Sequence, residues 1–241
     1  MSSTIENEIS KFTNEASKWW DVNGPFKLLH EINPIRLEYL LEQIRFHYNL
    51  LDNKKIKGIK ILDVGCGGGV LSIPLARLGA NVTAIDLGKE NIEAAQDKAF
   101  KEKLHIDFVC TEVEQFALKH MEEFDIVLCF EVLEHVQDPE LFISNLAKLV
   151  KKRGLVILST INRNLKSRFL AIGMAEYVLR MLPKHTHNYN KFIKPSEINR
   201  YGAITGLSVV NFKGMTYDIL RRDWALSNNI DVNYFATLLK V

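Results

Sequence analysis

The sequence predicts an α/β fold, in which helices cover both faces of a mostly parallel sheet. Short apolar runs, typical of strands buried on both faces, alternate with segments of helical periodicity between residues 59 and 160. The first run, residues 59–64, leads into a turn that contains four glycines in five positions. The run at residues 81–85 ends on Asp86. Together these features predict a strand, a glycine turn, a helix and a second strand that ends on an acid.

The other elements follow from the same patterns. Gly79 is expected to end the first helix of this unit, and Asp138 with Pro139 to begin a later one. Residues 151–154 are expected to end that later helix. A short helix capped by Ser196 is expected to run to about residue 201. The remaining predicted helices are residues 70–78 and 89–101, and the remaining predicted strands are residues 106–109, 124–130, 155–160, 207–212 and 232–239. The last two strands are expected to complete the sheet as an antiparallel edge pair.

Residues 1–50 are predicted to form two helices before the first strand. An apolar stripe at helical spacing marks the first helix, and it consists of Phe12, Ala16, Trp19 and Trp20. The two tryptophans are interpreted as a packing lid or as a ligand cage. Pro34 is expected near the start of the second helix, which places Arg36 in its first turn. The Arg36 guanidinium can hold a carboxylate through two hydrogen bonds, or it can lie at the surface.

Length and composition exclude several classes of protein. The 241 residues suit one α/β domain with extensions, and the net charge of +2 gives no field that would attract nucleic acid. The first twenty residues are polar and acidic, so a signal peptide is not expected, and no uncharged apolar run is long enough to suggest a membrane span. The three cysteines have no C-x-x-C spacing and are expected to be reduced core residues in a cytoplasmic protein.

The glycine turn predicts a nucleoside site. A helix N-terminus behind such a turn offers free N–H groups, and an acid at the tip of the next strand can bind both hydroxyls of a ribose. Val70 stands where a dinucleotide motif would have its last glycine, so the pattern is D-x-G-x-G-x-G from Asp63 to Gly69. This pattern resembles the glycine motif of class I S-adenosylmethionine (SAM) methyltransferases. The alternative is a tight turn that binds no ligand.

Glu131, Glu134 and His135 follow the fourth predicted strand at spacings that place them on one face of a helical turn. This turn is expected at the carboxyl edge of the sheet, where ligands of such folds bind. Two carboxylates and an imidazole can hold a divalent cation such as Mg²⁺. Alternatively, His135 packs or caps while the glutamates are solvated.

Residues 161–194 form a long insertion before the next helix. Its centre, SRFLAIGMAEYVLRMLP, has a wide apolar face and is flanked by basic residues, namely Arg163, Lys166, Arg168 and Lys184. This pattern suits a helix that lies in a membrane interface, and it equally suits a helix packed on the domain as a substrate lid. The H-x-H sequence at His185 and His187 is interpreted as part of a solvent-facing loop.

Several segments together resemble the ubiquinone biosynthesis O-methyltransferases, which methylate 2-polyprenyl-6-hydroxyphenol and 3-demethylubiquinol. The segments are KWWDVNGPFKLLHEINPIRLEYL, ILDVGCGGG, EVLEHVQDP, INRNLKSRFLAIGMAEYVLRMLPKHTH, KFIKPSEI and DVNYF. The resemblance implies a Rossmann-like class I methyltransferase fold with a seven-stranded, mostly parallel sheet whose last strand is antiparallel. It also implies that the chain is one domain, with a helical lid at residues 1–50 and a membrane or lid insertion at residues 162–187.

The resemblance further implies roles for individual residues. SAM contacts are expected from Arg36, Gly65, Gly67, Asp86 and Phe130. In at least some members Glu131, Glu134 and His135 would hold Mg²⁺. Catalysis is expected from Glu131 and His135, through the metal or as a general base for a phenol whose pKa is otherwise about 10.

The sequence therefore predicts a SAM-dependent O-methyltransferase that acts on polyprenylated phenols or catechols in both O-methylation steps of ubiquinone biosynthesis. The expected location is the cytoplasm, with peripheral attachment to the inner face of the membrane through residues 162–187 and a complex with other enzymes of the pathway. The alternatives are another small lipophilic substrate, a SAM-binding module without catalysis, and an NAD-linked oxidoreductase. Val70 in the glycine pattern argues against the last alternative.

Overall fold

A computed structural model describes residues 13–50, 56–164, 167, 191–218 and 223–241. A short 3-10 helix, Ala16–Lys18, precedes the regular elements. The helices are α1 (Lys27–Tyr48), α2 (Ser72–Arg77), α3 (Lys89–Lys101), α4 (Val113–Ala117), α5 (Pro139–Leu149) and α6 (Pro195–Ile204). The strands are β1 (Lys60–Val64), β2 (Asn81–Asp86), β3 (Asp107–Cys110), β4 (Phe124–Phe130), β5 (Val150–Ile161), β6 (Leu207–Asp218), β7 (Asp223–Ser227) and β8 (Asn233–Lys240).

The strands form one sheet in the order β3-β2-β1-β4-β5-β8-β6-β7. Strands β1 to β5 are parallel, whereas β8 is antiparallel to both of its neighbours, β5 and β6. The predicted mostly parallel α/β sheet is therefore confirmed, with eight strands rather than seven. The additional strand, β7, pairs with the second half of β6 in a region where the sequence predicts only a connection. The pair β6 and β8 is antiparallel as predicted, and β7 forms the edge.

Two apolar layers cover the two faces of the sheet. One layer packs α4, α5 and α6 on the strands and includes Leu146 and Ile198. The other packs α1 and α2 on the opposite face and includes Leu40, Ile44 and Leu75. Strand β4 is buried along nearly its whole length because it has a layer on each side. The apolar runs of the sequence are explained by this burial.

The N-terminal region differs from the prediction. Helix α1 is continuous over 22 residues, so Pro34 lies inside it rather than at its start, and Arg36 is in its third turn. A proline inside a helix removes one backbone hydrogen bond. Burial of Ile32, Ile35 and Tyr39 on the sheet offsets that loss, and the helix continues through the proline. Of the predicted apolar stripe, Ala16 lies in the short 3-10 helix, Trp19 and Trp20 follow it, and Phe12 lies outside the described residues.

Two element boundaries and one cysteine also differ from the sequence prediction. Residues 151–154, predicted to end a helix, belong to β5, because α5 ends at Leu149. Helix α6 begins at Pro195, so its N-cap is Lys194 rather than Ser196. Among the three free cysteines, Cys110 is exposed and is not a core residue as predicted. The predicted features at Asp138, Pro139 and Gly79 are confirmed.

Most of the predicted insertion, residues 165–190 apart from Ser167, lies outside the described residues, as do His185 and His187. Within the part of the chain that the structure describes, no helix has the length and apolar character required to cross a bilayer.

Candidate cofactor and active site

Three neighbouring strands bring predicted site residues to one edge of the sheet. Val64 of β1 is in register with Ile85 of β2 and with Cys129 of β4. The next residues along these strands are Gly65, Asp86 and Phe130, and they therefore meet at the carboxyl edge. This is the edge at which parallel α/β sheets bind ligands.

The glycine turn is closely covered by other parts of the protein. Gly65, Gly67 and Gly69 all have positive φ angles, which residues other than glycine rarely adopt. A Cβ on Gly65 would lie 2.4 Å from Cγ2 of Val132, and one on Gly67 would lie 2.5 Å from the ring of Trp19. The glycines are thus required by backbone geometry and by the approach of Val132 and Trp19.

Asp86 is held by the backbone on both sides. Its Oδ2 accepts a hydrogen bond from Gly67 N–H at 2.9 Å, and its Oδ1 accepts one from Gly88 N–H at 2.7 Å. The Asn91 amide donates a further bond to Oδ1 at 3.1 Å. Oδ2 therefore has one partner and retains the capacity to accept a hydroxyl proton from a ligand.

Arg36 is buried at the same edge, with 5% of its surface exposed, so the alternative of a surface arginine is wrong. Its Nε and Nη2 make no hydrogen bond. Burial lowers the pKa of the guanidinium, while Glu131 and Asp63 oppose that shift. A buried arginine with unsatisfied donors is costly, and a bound carboxylate would satisfy them.

Residues 131–138 form turns rather than the predicted helical turn, so the premise for placing three side chains on one helical face is wrong. Glu131 adopts a positive φ of 57°, and its N–H donates to Ser159 O at 3.0 Å. Its side chain accepts a hydrogen bond from Ser159 Oγ at 2.8 Å. Thr160 Oγ1 donates similarly to Glu134 Oε2 at 2.8 Å. The end of β5 therefore orients both glutamates.

Glu134 is almost fully buried, and its Oε1 has no hydrogen-bond partner. Burial, together with the nearby charge of Glu131, raises the pKa of Glu134 to about 8. Within the described ranges, no three His, Cys, Asp or Glu side chains are arranged to hold a metal ion. Glu131 and Glu134 lie close enough to interact electrostatically. His135 does not join them as a third metal ligand in the described structure.

Some side chains at this site were missed by the sequence reasoning. Ser159 and Thr160 lie at the end of a predicted strand, next to residues 131–138, here called the acidic turn. Their position at that strand end was the signal that could have identified them as site residues. Asn91 contacts Asp86 from the first turn of α3, and no feature of the sequence distinguishes it from a surface residue of that helix.

Comparison with known proteins places the chain in a family. A family model described as a methyltransferase domain matches residues 62–158. The ubiquinone biosynthesis O-methyltransferase of Rickettsia canadensis is 46% identical over 238 residues, which is 99% of this chain and 98% of that protein. The protein of the same name from Pelagibacter ubique is 44% identical over 100% of both chains. The chain belongs to the ubiquinone biosynthesis O-methyltransferase family. Members of this family are SAM-dependent enzymes, as the sequence resemblance predicted.

Solved structures agree with the predicted class I methyltransferase fold. Magnesium protoporphyrin IX methyltransferase from Synechocystis, solved with bound SAH, has a TM-score of 0.58 and 23% identity over 86% of this chain and 84% of its own. A SAM-dependent methyltransferase from Thermotoga maritima has a TM-score of 0.60 and 18% identity over 98% of this chain and 100% of its own. At these identities the likeness concerns the fold alone.

Proposed function

We propose that this member of the family transfers the methyl group of SAM to a hydroxyl of a polyprenylated phenol or catechol in ubiquinone biosynthesis, and that it catalyses both O-methylation steps. The observation that carries this proposal is the buried Arg36, whose Nε and Nη2 make no hydrogen bond at the carboxyl edge of the sheet. The methionine end of SAM has a carboxylate of the kind that such a guanidinium binds.

The proposed cofactor contacts follow from the positions of the site residues. Asp86 would accept the ribose hydroxyls through Oδ2, and the turn at Gly65 and Gly67 would let the cofactor approach the backbone. The ring centroid of Phe130 lies 5.7 Å from that of Phe235. Phe130 would support the cofactor from the tip of β4. Arg36 would hold the carboxylate at the other end, so that the methyl group points toward the acidic turn.

Glu131 and His135 are proposed to act on the substrate hydroxyl. A phenol is mostly protonated at neutral pH, so a group that takes or withdraws its proton is needed. Glu131 lies at the strand edge and is oriented by Ser159. In-line placement of the hydroxyl oxygen about 3 Å from the methyl group would then supply much of the rate.

A divalent metal fits part of this site. Glu134 Oε1 is buried without a hydrogen-bond partner. Burial, and secondly the nearby charge of Glu131, raises the pKa of Glu134, and a bound cation would favour the ionised form of both carboxylates. Glu131 and Glu134 would hold Mg²⁺, with His135 as the third proposed ligand. The metal would lower the pKa of a bound catechol.

A double substitution tests these roles. The variant Glu131→Ala with His135→Ala should lose methyl transfer but still bind SAM, because Arg36 and Asp86 are unchanged. Isothermal titration measures binding, and product formation from labelled SAM measures turnover. Full activity in this variant would contradict both the metal and the general-base proposals.

Residues 162–187 are proposed to bind the membrane surface and to cover the active site, while residues 1–50 serve as a lid. The residues on both sides of the insertion support this placement. Ile193 N–H donates to Ile161 O at 3.0 Å, so the chain leaves and re-enters the domain at the carboxyl end of β5. Ser159 and Thr160, which orient the glutamates, lie at that same end.

Flotation with lipid vesicles tests the membrane proposal. The protein should float with vesicles of phosphatidylethanolamine and phosphatidylglycerol, and reversal of charge at Lys166, Arg168 and Lys184 should abolish flotation. Reversal at Lys89, Lys101 and Lys119, which lie elsewhere, serves as the matched control. Equal flotation of both variants would contradict the proposal. Association with other enzymes of the pathway remains a prediction of the family resemblance.

A further inference from the structure

The aromatic segment before α1, from Trp19 to Phe26, is connected to Asp86, the proposed ribose-binding acid, by two side-chain hydrogen bonds in series. Nε1 of Trp19 donates to Oδ1 of Asn91 at 2.8 Å. Nδ2 of Asn91 donates to Oδ1 of Asp86 at 3.1 Å. Trp19 and Asn91 are 5% and 3% exposed, so water competes little for the bond between them. The bond from Asn91 to Asp86 is partly buried. The series thus joins the N-terminal segment to the cofactor edge.

Each residue in the series has the chemistry that its place requires. An indole N–H can only donate, and an ionised carboxylate can only accept. A side chain between them must therefore accept on one side and donate on the other, as an asparagine amide does. Leucine could do neither, and aspartate would place a second negative charge beside Asp86. The amide orientation of Asn91 is set by these two neighbours.

Trp19 is itself held in place from several directions. Its ring stacks on Phe26 with centroids 3.7 Å apart and an angle of 3° between the planes. The same ring covers Gly67 and Gly68 so closely that a Cβ on Gly68 would lie 2.2 Å from it. Its backbone carbonyl lies 2.7 Å from Nε2 of His30 in α1. Trp19 therefore contacts the glycine turn directly and Asp86 through Asn91.

We infer that Trp19 and Asn91 are positioning residues for the Asp86 carboxylate, so that docking of the N-terminal aromatic segment sets the affinity of the nucleoside site. This inference rests on the proposed SAM function and adds a coupling between that segment and the ribose. With the series intact, Asp86 Oδ1 is fully occupied by protein donors and Oδ2 faces the ligand in one orientation. Without the Asn91 bond, only Gly67 N–H and Gly88 N–H hold the carboxylate, so it has more freedom to rotate. Binding of a ribose hydroxyl then costs more ordering entropy.

The chain offers a matched pair of substitutions. Trp19→Phe keeps an aromatic ring for stacking and removes the N–H that bonds to Asn91. Trp20→Phe makes the same chemical change at the neighbouring residue, whose Nε1 donates to Gly68 O at 3.0 Å and has no bond to Asn91. We expect Trp19→Phe to raise the Kd of S-adenosylhomocysteine about tenfold and Trp20→Phe to change it less than twofold.

A ligand without ribose hydroxyls separates positioning from general loosening. The 2′,3′-dideoxy analogue of S-adenosylhomocysteine cannot donate to Asp86, so wild type and Trp19→Phe should bind it with equal Kd. In turnover, Trp19→Phe should raise the KM for SAM and leave kcat unchanged. Equal weakening of both ligands would overturn the inference, because it would indicate a merely structural role for Trp19.

A second variant reaches the same series without touching an aromatic ring. A Cβ on Gly88 would lie 2.6 Å from Nδ2 of Asn91 and 2.7 Å from Thr13. Gly88 has a φ of −82°, so alanine there has no backbone strain and acts by displacing its neighbours. Gly88→Ala should weaken S-adenosylhomocysteine but not the dideoxy analogue. If wild type binds neither ligand, the proposed function fails; if it binds and Trp19→Phe equals Trp20→Phe, only this inference fails.

Discussion

Nη2 of Arg36 lies 3.6 Å from Oε1 of Glu131, so helix α1 and the tip of β4 face each other across the candidate cofactor site. The side chains of Arg36 and Glu131 are only 7% and 26% exposed, and neither Nε nor Nη2 of the guanidinium makes a hydrogen bond. Arg36 therefore retains hydrogen-bond donors for a second carboxylate in addition to Glu131.

Arg36→Lys should raise the Kd of SAM about 10- to 100-fold, because one ammonium cannot replace two parallel guanidinium bonds. Isothermal titration measures this change. Arg77→Lys is the control, since Arg77 pairs with Glu102 on the surface far from the site and should leave the Kd unchanged. An Arg36→Lys variant that binds SAM as tightly as wild type would remove Arg36 from the site.

The Gly67→Ala variant should have a lower melting temperature than the Gly58→Ala variant, and it should also bind SAM more weakly. Both glycines have positive φ, so alanine costs each about 1 kcal/mol of backbone strain. Only at Gly67 would the new Cβ also meet the Trp19 ring, while nothing lies within 4 Å at Gly58. Thermal melting and titration with SAM compare the two variants. Similar losses in both would show that strain alone matters.

Because of Glu134, the free energy of unfolding should fall as the pH rises from 5 to 8. Its pKa is about 8 in the folded protein, above the ordinary value of 4.5. The folded state therefore binds more protons between these pH values. Its contribution to stability is complete below pH 4.5 and is lost as the pH rises through about 8.

Urea unfolding at pH 5 and pH 8 in buffer without divalent cations measures this effect. Glu134→Gln should lose less stability over this interval than wild type. A wild type whose stability does not fall toward pH 8, or a variant that falls equally, would contradict the raised pKa.

Ser159→Ala should lower kcat about 3- to 10-fold and leave the Kd of SAM unchanged. The substitution removes the hydroxyl that donates to Glu131 Oε1 at 2.8 Å and lets that side chain move. Ser208→Ala on the exposed face of β6 is the control and should match wild type. A change in SAM affinity with normal kcat would assign Ser159 to cofactor binding instead.

The strands of the sheet could be predicted from sequence because burial on both faces makes them continuous apolar runs. Residues 124–130 are an example, since the predicted and observed bounds of that strand agree. Strand β7 could not be predicted, because it lies at the sheet edge with half-exposed side chains and carries no such run. Pro34 misled the sequence reasoning because local helix propensity was outweighed by packing on the sheet.

The site was predictable where a motif places residues at strand ends, as for Gly65, Asp86 and Phe130. The acidic turn was less predictable, because spacing suggests a helix while Glu131 adopts a left-handed backbone conformation. The contacts of Trp19 and Asn91 join positions far apart in sequence, and no local pattern encodes them. These long-range contacts depend on the fold itself.

The central claim concerns methyl transfer to oxygen at the site around Arg36, Asp86 and Glu131. The most direct measurement incubates the purified protein with methyl-labelled SAM and a prenylated catechol, then follows the label and S-adenosylhomocysteine together. The predicted result is labelled O-methyl product formed in equal amount to S-adenosylhomocysteine, with loss of both in the Glu131→Ala, His135→Ala variant. Tight SAM binding by the wild type without transfer to the catechol, with or without Mg²⁺, would contradict the account.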